Sequence, residues 1–279
     1  MLKSSLRRIY LSTDVELDCC VIGDPSNQPI IFLHGFPESH RTWRHQLLAL
    51  SENYYCIAPD QRGYRGSSKP TDVNAYTADQ LTADVFALAD ALDVENFTIA
   101  GHDWGGAIAW SVALNGQPGG LNPQWAGRVT RAMLANAPHP CMYQRAIVND
   151  PIQRASAQYV RFFRDPGSDA IIAKGGLLPL LQQVWGWQKP EAMDAYEYGE
   201  LLAGWEDRGA AVAMLNWYRA SSIMVPLIGA AADVPEWAAG AFPKLNIPTL
   251  LVWAMEDKAL SPSNIDGIDG IFDRTEQRQ

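Results

Sequence analysis

A short glycine-rich segment in the first half of the chain presents one carboxylate in a reactive setting. Residues 101–106 read Gly-His-Asp-Trp-Gly-Gly and follow the apolar run Phe97–Ala100. The flanking glycines allow a tight, strained turn that would expose Asp103 at the end of a strand. A carboxylate is ionised at pH 7, so it can attack an sp³ carbon and form an ester without a base. This chemistry suits epoxides and alkyl halides; the alternative is a plain glycine-rich turn capped by Asp.

A second segment, His34–Glu38, reads His-Gly-Phe-Pro-Glu and also follows an apolar run. Backbone N–H groups at such a turn, together with the one after the nucleophile, can form an oxyanion hole. We expect Phe36 and Trp104 to donate them, first to the carboxylate and later to the oxyanion formed when its ester is hydrolysed. The bond before Pro37 is a candidate cis peptide. The alternative is an ordinary strand-to-loop turn in which His34 is structural.

The elements that must position these segments alternate between strand and helix patterns. Apolar positions at Leu81, Val85, Leu88 and Leu92 are spaced by 4, 3 and 4 residues and predict a helix over 77–92. Strands separated by helices indicate a parallel sheet and an α/β architecture. The strand-like runs are Ile30–Leu33, Tyr54–Ala58, Phe97–Ala100, Val129–Leu134 and Thr249–Trp253. Segments around Arg8–Ser12 and Leu17–Ile22 predict an antiparallel edge hairpin.

Residues 139–242 have a different character. Strand-like runs become rare, the patterning is helical and interrupted by proline, and five of the ten tryptophans lie there. We predict a helical cap at 139–242, inserted between a first core segment, 1–138, and a second core segment, 243–279.

Composition excludes several classes of protein. The 279 residues are 47% hydrophobic, which provides enough apolar material for one large folded domain. A formal net charge of −9 argues against a nucleic-acid partner. No apolar run is long enough for a membrane span, and no apolar stretch follows Lys3, Arg7 and Arg8 as a secretory signal would require. We therefore predict a cytoplasmic protein whose four cysteines are reduced core thiols.

The motifs together resemble a known family. His34–Glu38 and Gly101–Gly106 look like the corresponding segments of α/β-hydrolase-fold epoxide hydrolases and their haloalkane dehalogenase relatives, and Asp60–Ser68 resembles that family's loop after its fourth strand. The resemblance extends to about residue 260. It implies an α/β-hydrolase fold with a mostly parallel sheet and an inserted helical cap, and a reaction that needs no cofactor and no metal. It also implies substrate contacts from His34, Pro37, Trp104 and Trp217.

Two cap segments resemble those that carry the epoxide-polarising tyrosines of epoxide hydrolases. Tyr159 begins the first, Tyr-Val-Arg-Phe-Phe-Arg-Asp-Pro-Gly, and Tyr218 lies in the second, Leu-Asn-Trp-Tyr-Arg. Opening an epoxide develops negative charge on its oxygen, which two phenol hydroxyls can hydrogen-bond while one supplies a proton. Either tyrosine alone is more often a packed aromatic residue. The pair in matching contexts favours a catalytic role.

Dehalogenases are the nearest alternative. Their halide needs N–H donors, and Trp104 could be one, so this residue does not discriminate. Fluoroacetate dehalogenases are also similar, but Val160 and Arg161 stand where their cap carries a His-Trp pair. The sequence therefore favours an epoxide over a haloalkane or haloacid.

The charge-relay acid of the family matches Asp257, which follows the run Leu250–Trp253, better than Glu256. A histidine after this acid activates the water that hydrolyses the alkyl-enzyme ester in the family. Here the five histidines all lie at or before residue 139, and the tail after Gly270 is polar. We expect the C-terminal part that carries this histidine to be truncated or frameshifted; the alternative is an enzyme that works without the usual base. His102 corresponds to a structural position in the family.

The sequence thus predicts an epoxide hydrolase that converts a small apolar epoxide and water to a vicinal diol through an ester at Asp103. As written, the chain should form this ester but hydrolyse it slowly. A haloalkane or haloacid dehalogenase is one alternative. A non-catalytic binder of small ligands with a degenerate site is another, and the missing histidine is its best argument. The sequence leaves the oligomeric state open.

Overall fold

The computed structural model describes residues 5–272, whose strands form one sheet in the order β1-β2-β4-β3-β5-β6-β7. The predicted edge hairpin is confirmed, because β1 and β2 pair antiparallel and β2 also pairs antiparallel with β4. The remaining neighbours pair in parallel. The strands are β1 Ser5–Tyr10, β2 Glu16–Ile22, β3 Gln28–Leu33, β4 Tyr54–Pro59, β5 Phe97–His102, β6 Val129–Ala135 and β7 Thr249–Val252.

The central strands bring the two sequence motifs together. β3 and β5 are neighbours in parallel register, with Leu33 opposite Gly101. Their apolar residues are buried on both faces, as expected for the middle of a parallel sheet. Parallel strands end at the same edge, so the loops after β3 and β5 emerge side by side. This edge is where the His34–Glu38 and Gly101–Gly106 segments meet.

The helices cover the sheet and fill the stretch between β6 and β7. The helix predicted over 77–92 is α2, which differs from the prediction by one residue at each end. The α-helices are α1 Arg44–Leu50, α2 Ala78–Ala91, α3 Asp103–Gly116, α4 Pro140–Asn149, α5 Pro151–Ser156, α6 Gln158–Arg164, α7 Gly167–Gly175, α8 Leu178–Trp185, α9 Ala195–Glu206, α10 Arg208–Ala220 and α11 Glu236–Ala239. Short 3₁₀ helices occupy His40–Trp43, Val73–Tyr76, Pro262–Ile265 and Ile268–Ile271.

The helices α4 to α11 are tied to the sheet by buried tryptophans. The indole N–H of Trp205 donates to the Pro37 carbonyl at 2.7 Å, and that of Trp217 donates to the Arg62 carbonyl at 3.0 Å. Both side chains are almost completely buried. These bonds hold α9 and α10 over the loops at the carboxyl edge of the sheet. The division of the chain at residues 138 and 242 stays a prediction.

Some details differ from the sequence-based expectations. β7 ends at Val252, so Trp253 lies beyond the strand. Cys141 is half-buried, whereas the other three cysteines are core residues, because Cys141 lies in the first turn of α4 at the cavity described below. The end of the predicted second core segment, residues 273–279, lies outside the described residues. Within residues 5–272, no helix combines the length and apolarity that crossing a membrane would require.

Candidate active site

Asp103 occupies a sharp turn between β5 and α3. Its φ of 53° lies in the left-handed region, which is unusual for a residue other than glycine. The turn is tight enough that a Cβ on Gly101 would come within 2.3 Å of the Gly105 carbonyl oxygen, and one on Gly105 within 2.3 Å of the Leu33 carbonyl oxygen. Both glycines are therefore needed for the close approach of β3, β5 and α3. The predicted strained elbow is present, and it presents Asp103 to a cavity.

Two backbone N–H groups hold the Asp103 carboxylate. The Phe36 N–H donates to Oδ1 at 2.8 Å, and the Trp104 N–H also bonds the carboxylate. Burial raises the pKa of Asp103; the charge of His102 and these two N–H groups oppose the rise without cancelling it. The bond between Phe36 and Pro37 is cis, as the sequence suggested. The geometry thus brings both predicted oxyanion-hole residues to the predicted nucleophile.

The two predicted tyrosines line the same cavity as this carboxylate. Tyr159 lies on α6 and Tyr218 on α10, with their ring centroids 5.9 Å apart. The Tyr218 ring also packs 5.1 Å from the Trp104 ring, beside the nucleophile. Burial raises the pKa of both phenols well above the ordinary value, and the charge of Asp103 adds to the rise. Both hydroxyls therefore stay protonated at neutral pH and can act as hydrogen-bond donors.

A cavity of about 580 Å³ lies between the helices and the edge of the sheet. Its size is within the range of pockets that bind small organic molecules. The predicted site residues that line it are Asp103, Trp104, Tyr159, Trp217 and Tyr218. The structure therefore brings the nucleophile, the two phenols and two of the predicted substrate contacts into one enclosure.

His34 and Pro37 lie elsewhere, so the geometry does not favour the predicted substrate contacts. His34 is completely buried; its Nδ1 faces the Gly35 carbonyl at 2.9 Å and its Nε2 accepts the Gln61 N–H at 3.1 Å. With both ring nitrogens engaged, it holds the loops after β3 and β4 together. Pro37 accepts the Trp205 indole N–H and is not among the lining residues. The structural alternative for His34 fits its surroundings.

Asp257 lies in the loop after β7 with its carboxylate already oriented. Oδ2 accepts the Asn136 side-chain amide at 2.7 Å, and Oδ1 accepts the backbone N–H groups of Ala259 and Leu260 at 2.8 and 3.0 Å. Asn136 follows β6, the neighbour of β7, which explains the contact. Asp257 is thus held in place, although it does not line the cavity itself.

His102 forms an ion pair beside the nucleophile. Its Nδ1 lies 3.2 Å from Oε2 of Glu38, whose carboxylate also accepts the Gly35 N–H at 3.1 Å. Burial lowers the pKa of His102, but the hydrogen bond and charge of Glu38 outweigh that effect and raise it to about 9. The imidazole therefore carries a proton at neutral pH. A protonated imidazole cannot accept the proton of a water molecule, so this residue is a poor general base there.

Comparison with known proteins decides the family. A family model described as alpha/beta hydrolase fold matches residues 28–279. A solved structure described as a novel epoxide hydrolase of the alpha/beta hydrolases superfamily, from metagenomes of hot environments, is 49% identical. That match covers 98% of this chain and 89% of the other, with a TM-score of 0.89. The chain belongs to the epoxide hydrolases of the α/β-hydrolase fold.

Two curated relatives of this epoxide hydrolase are more distant. The AB hydrolase superfamily protein YfhM of Bacillus subtilis is 30% identical over 249 residues, which cover 88% of this chain and 80% of that protein. Epoxide hydrolase 3 of Xenopus tropicalis is 30% identical over 249 residues, which cover 87% of this chain and 62% of that protein.

Sequence reasoning missed a third tyrosine of this epoxide hydrolase. Tyr143, on α4, lines the cavity, and its hydroxyl interacts with that of Tyr159. Burial raises the pKa of Tyr143, so it too remains protonated. The only signal in the sequence is the high aromatic content of the predicted cap, which does not single out this residue. Asn136, the partner of Asp257, was missed for a different reason, because its contact depends on the pairing of β6 with β7.

No metal site is apparent in residues 5–272 of this epoxide hydrolase, where no three or more His, Cys, Asp or Glu side chains are grouped suitably.

Proposed function

We propose that the protein converts an epoxide and water to a vicinal diol through a covalent ester on Asp103. One observation carries the proposal. The Asp103 carboxylate, held by the Phe36 N–H, lines the same cavity as the two protonated phenols of Tyr159 and Tyr218. A nucleophile opposite two hydrogen-bond donors is what opening of an epoxide requires, because one carbon is attacked while charge develops on the oxygen.

In the first half of the reaction, an Asp103 carboxylate oxygen attacks one epoxide carbon. A C–O ester bond forms, the C–O bond of the ring breaks, and its electron pair stays on the ring oxygen. Tyr159 and Tyr218 hydrogen-bond that oxygen, and one of them transfers its proton to give a hydroxyl. Ring opening turns the epoxide oxygen into a strongly basic alkoxide. This oxygen can therefore take a proton from either phenol although burial raises the pKa of both.

In the second half, water attacks the ester carbonyl, the bond from this carbon to the substrate oxygen breaks, and the diol and the Asp103 carboxylate are released. Of the two protons of the water, one ends on the diol and the other restores the phenol that was deprotonated in the first half. The Phe36 and Trp104 N–H groups that bind the carboxylate would stabilise the tetrahedral oxyanion. The attacking water must lose a proton to a base. His102, the histidine next to Asp103, is protonated at neutral pH and is therefore a poor acceptor of this proton. We therefore propose that hydrolysis of the ester is the slower half of the reaction.

The test is to incubate the protein with styrene oxide at pH 7, then measure intact mass and diol. We expect a covalent adduct with the mass of one styrene oxide per chain, located on Asp103. Asp103→Asn should show no adduct. If wild type forms neither adduct nor diol, the proposed function is wrong. Rapid multiple turnover without an adduct would contradict the slow second half and require another base.

The same experiment separates the alternatives. A dehalogenase would release halide from a haloalkane or haloacid and leave styrene oxide unchanged. A non-catalytic binder would retain a small apolar ligand equally well in wild type and Asp103→Asn, with no adduct in either. No contact in the cavity favours either alternative. At the positions of the His-Trp pair of fluoroacetate dehalogenases, Val160 is aliphatic, and the Arg161 guanidinium donates to the Val225 carbonyl.

The division into two core segments and a cap, and the cytoplasmic location, remain part of this proposal. Both rest on the sequence patterns described above.

A further inference from the structure

We propose that a groove along α3, here called the α3 groove, binds an uncharged, linear apolar tail of the epoxide. This inference rests on the proposed function and names the substrate class of that site. The cavity does not end at the tyrosine pair, because its lining continues along one face of α3. The lining residues on this face are Ala107, Ser111, Leu114 and Asn115.

The α3 groove is long compared with the reacting centre. Steps of 4, 3 and 1 residues place those four side chains in one stripe along the helix. Asp103 is the first residue of α3 and Asn115 lies twelve residues later (115 − 103), so the stripe ends about 18 Å from the nucleophile. A compact epoxide would leave most of this length unoccupied.

Two walls bound the α3 groove. On one side, Thr77, Ala78 and Asp79 form the start of α2, which is fixed beside α3 by a 2.9 Å hydrogen bond from the Thr82 hydroxyl to that of Ser111. The opposite wall is formed by Cys141, Trp237 and Pro243. The α3 groove is therefore flanked by other elements on both sides of the helix face.

The rim of the α3 groove exposes large apolar side chains. Leu121 is 59% exposed and Trp237 is 43% exposed, and both belong to the lining. Leu121 is held beside Leu114, whose carbonyl accepts its backbone N–H at 3.0 Å. Burying such surface against a hydrocarbon releases water and is favourable. The rim therefore favours an apolar occupant that is continuous with the epoxide bound at Asp103.

The charges indicate that this tail is neutral. Apart from Asp103, the charged lining residues described are Asp79 and Arg164. The Arg164 guanidinium uses three of its five N–H groups to donate to the backbone carbonyls of Tyr218, Ser221 and Ile223, which hold it against the protein. Asp79 is exposed on one wall and would repel a carboxylate. A terminal carboxylate is thus disfavoured in the α3 groove.

The experiment compares the second-order rate constants, kcat/KM, for consumption of two terminal epoxides, epoxybutane and epoxydodecane. Each methylene buried raises the affinity roughly fourfold, so even partial burial of the longer tail should give a ratio of at least about tenfold. Ser111→Trp, which fills the middle of the α3 groove, should lower this long-to-short ratio below about threefold. The ratio is measured within one protein, so it does not depend on the fraction of active protein.

A second variant and a matched control complete the design. Leu121→Asp, at the exposed rim, should reduce the ratio without the risk of disturbing the core. Leu48→Asp makes the same change at an exposed leucine of α1, 49% exposed against 59% for Leu121, outside the cavity lining, and should leave the ratio unchanged. A wild-type ratio near one, or a ratio that survives both Ser111→Trp and Leu121→Asp, would overturn the proposal.

Two further outcomes separate the claims. If neither epoxide reacts, the proposed function itself fails; if epoxybutane reacts and the ratio is near one, only the α3 groove fails.

The neutral tail is tested with the terminal epoxide of undecanoic acid and its methyl ester. The methyl ester should react at least about fivefold faster, and Asp79→Asn should narrow the difference. Equal rates in wild type would contradict a preference for a neutral tail.

Discussion

The two carboxylates predicted to share the reaction have very different surroundings. Asp103 lies on a strained turn, faces a cavity and is opposed by two buried phenols. Asp257 lies in a relaxed loop, where Asn136 and two backbone N–H groups satisfy its oxygens. The backbone of Asp103 is therefore strained, whereas the carboxylate of Asp257 is fixed by hydrogen bonds. We infer that the nucleophilic half of the site is poised to react, whereas the acid half is a scaffold.

This difference has a physical origin. Burial raises the pKa of Asp103, so its ionised form is disfavoured by its surroundings and is a stronger nucleophile than a fully solvated carboxylate. The hydrogen bonds to Asp257 instead fix the orientation of its carboxylate, as a residue that orients an imidazole requires. The two halves can therefore be tested separately, one by ester formation and the other by hydrolysis and loop stability.

The largest effect is expected for Asp103→Asn. Loss of the covalent nucleophile should slow ester formation with styrene oxide by at least about a thousandfold. Asparagine tolerates the left-handed conformation, and its neutral amide removes a destabilised charge. We therefore expect the midpoint of thermal unfolding to rise by about 2–4 °C. Intact mass and calorimetry measure the two effects, and an unchanged adduct yield would contradict the assignment of Asp103.

The next largest effect concerns the phenols. Each hydrogen-bond donor to a developing oxyanion is worth about a hundredfold or more in rate. Tyr159→Phe with Tyr218→Phe should therefore slow ester formation by about a thousandfold or more, and Tyr218→Phe alone by about a hundredfold. Tyr10→Phe, which removes an exposed hydroxyl of β1, is the matched control. If the double variant forms ester at the wild-type rate, the phenols do not polarise the epoxide.

The ion pair beside the nucleophile has a defined pH signature. Burial lowers the pKa of His102, and Glu38 is the strongest of the groups that raise it to about 9, the others being Asp103 and Asp257, so Glu38→Gln should lower this pKa. Because the raised pKa stabilises the folded state, this contribution is fully present below the ordinary pKa of about 6.5 and is lost as pH rises through about 9. Wild type, but not Glu38→Gln, should therefore lose stability between neutral pH and about 9.

Nuclear magnetic resonance of the His102 ring protons gives this pKa directly, and thermal unfolding across the same pH range gives the stability. A His102 pKa that is the same in both proteins would contradict the ion pair.

The smallest effect is expected on the acid side. Asn136→Gly removes the side-chain amide that bonds Asp257 and the side-chain oxygen that accepts the Ala254 N–H at 2.8 Å. Glycine tolerates the φ of 42° at this position, so the change reports mainly the lost bonds. We expect a loss of about 1–2 kcal/mol in unfolding free energy, measured by urea denaturation. Asn74→Gly, at an exposed position, is the control, and an equal loss there would show that the Asn136 bonds contribute nothing.

The conformation of the Asp103 turn was easier to predict from the sequence than the surroundings of Asp257, for a reason seen in particular residues. The Gly101–Gly106 turn is local: its glycines, its strand and its helix are adjacent in the chain, so the pattern carries the geometry. The same holds for the edge hairpin and for α2. The role of Asn136 instead depends on β6 pairing with β7, about 120 residues later, which no local pattern reveals.

Other features were missed because they depend on tertiary packing. His34 was predicted to contact substrate, but its ring turns toward Gln61 and binds the loop after β4. Tyr143 reaches the cavity only because α4 folds back over the sheet, and the His102–Glu38 pair joins two motifs that were interpreted separately. The α3 groove likewise requires α2 and α11 to flank one helix face. In each case the sequence shows the residue itself but not the distant residue that it contacts in the folded protein.

The most direct measurement follows Asp103 through time. The protein is mixed with styrene oxide at pH 7, and the Asp103 peptide and the released diol are quantified together by mass spectrometry. We predict a rapid rise to about one ester per chain, followed by much slower release of diol. Diol released at many equivalents per chain with no ester on Asp103, or an adduct on another residue, would contradict a site in which Asp103 opens the epoxide and hydrolysis is the slower half.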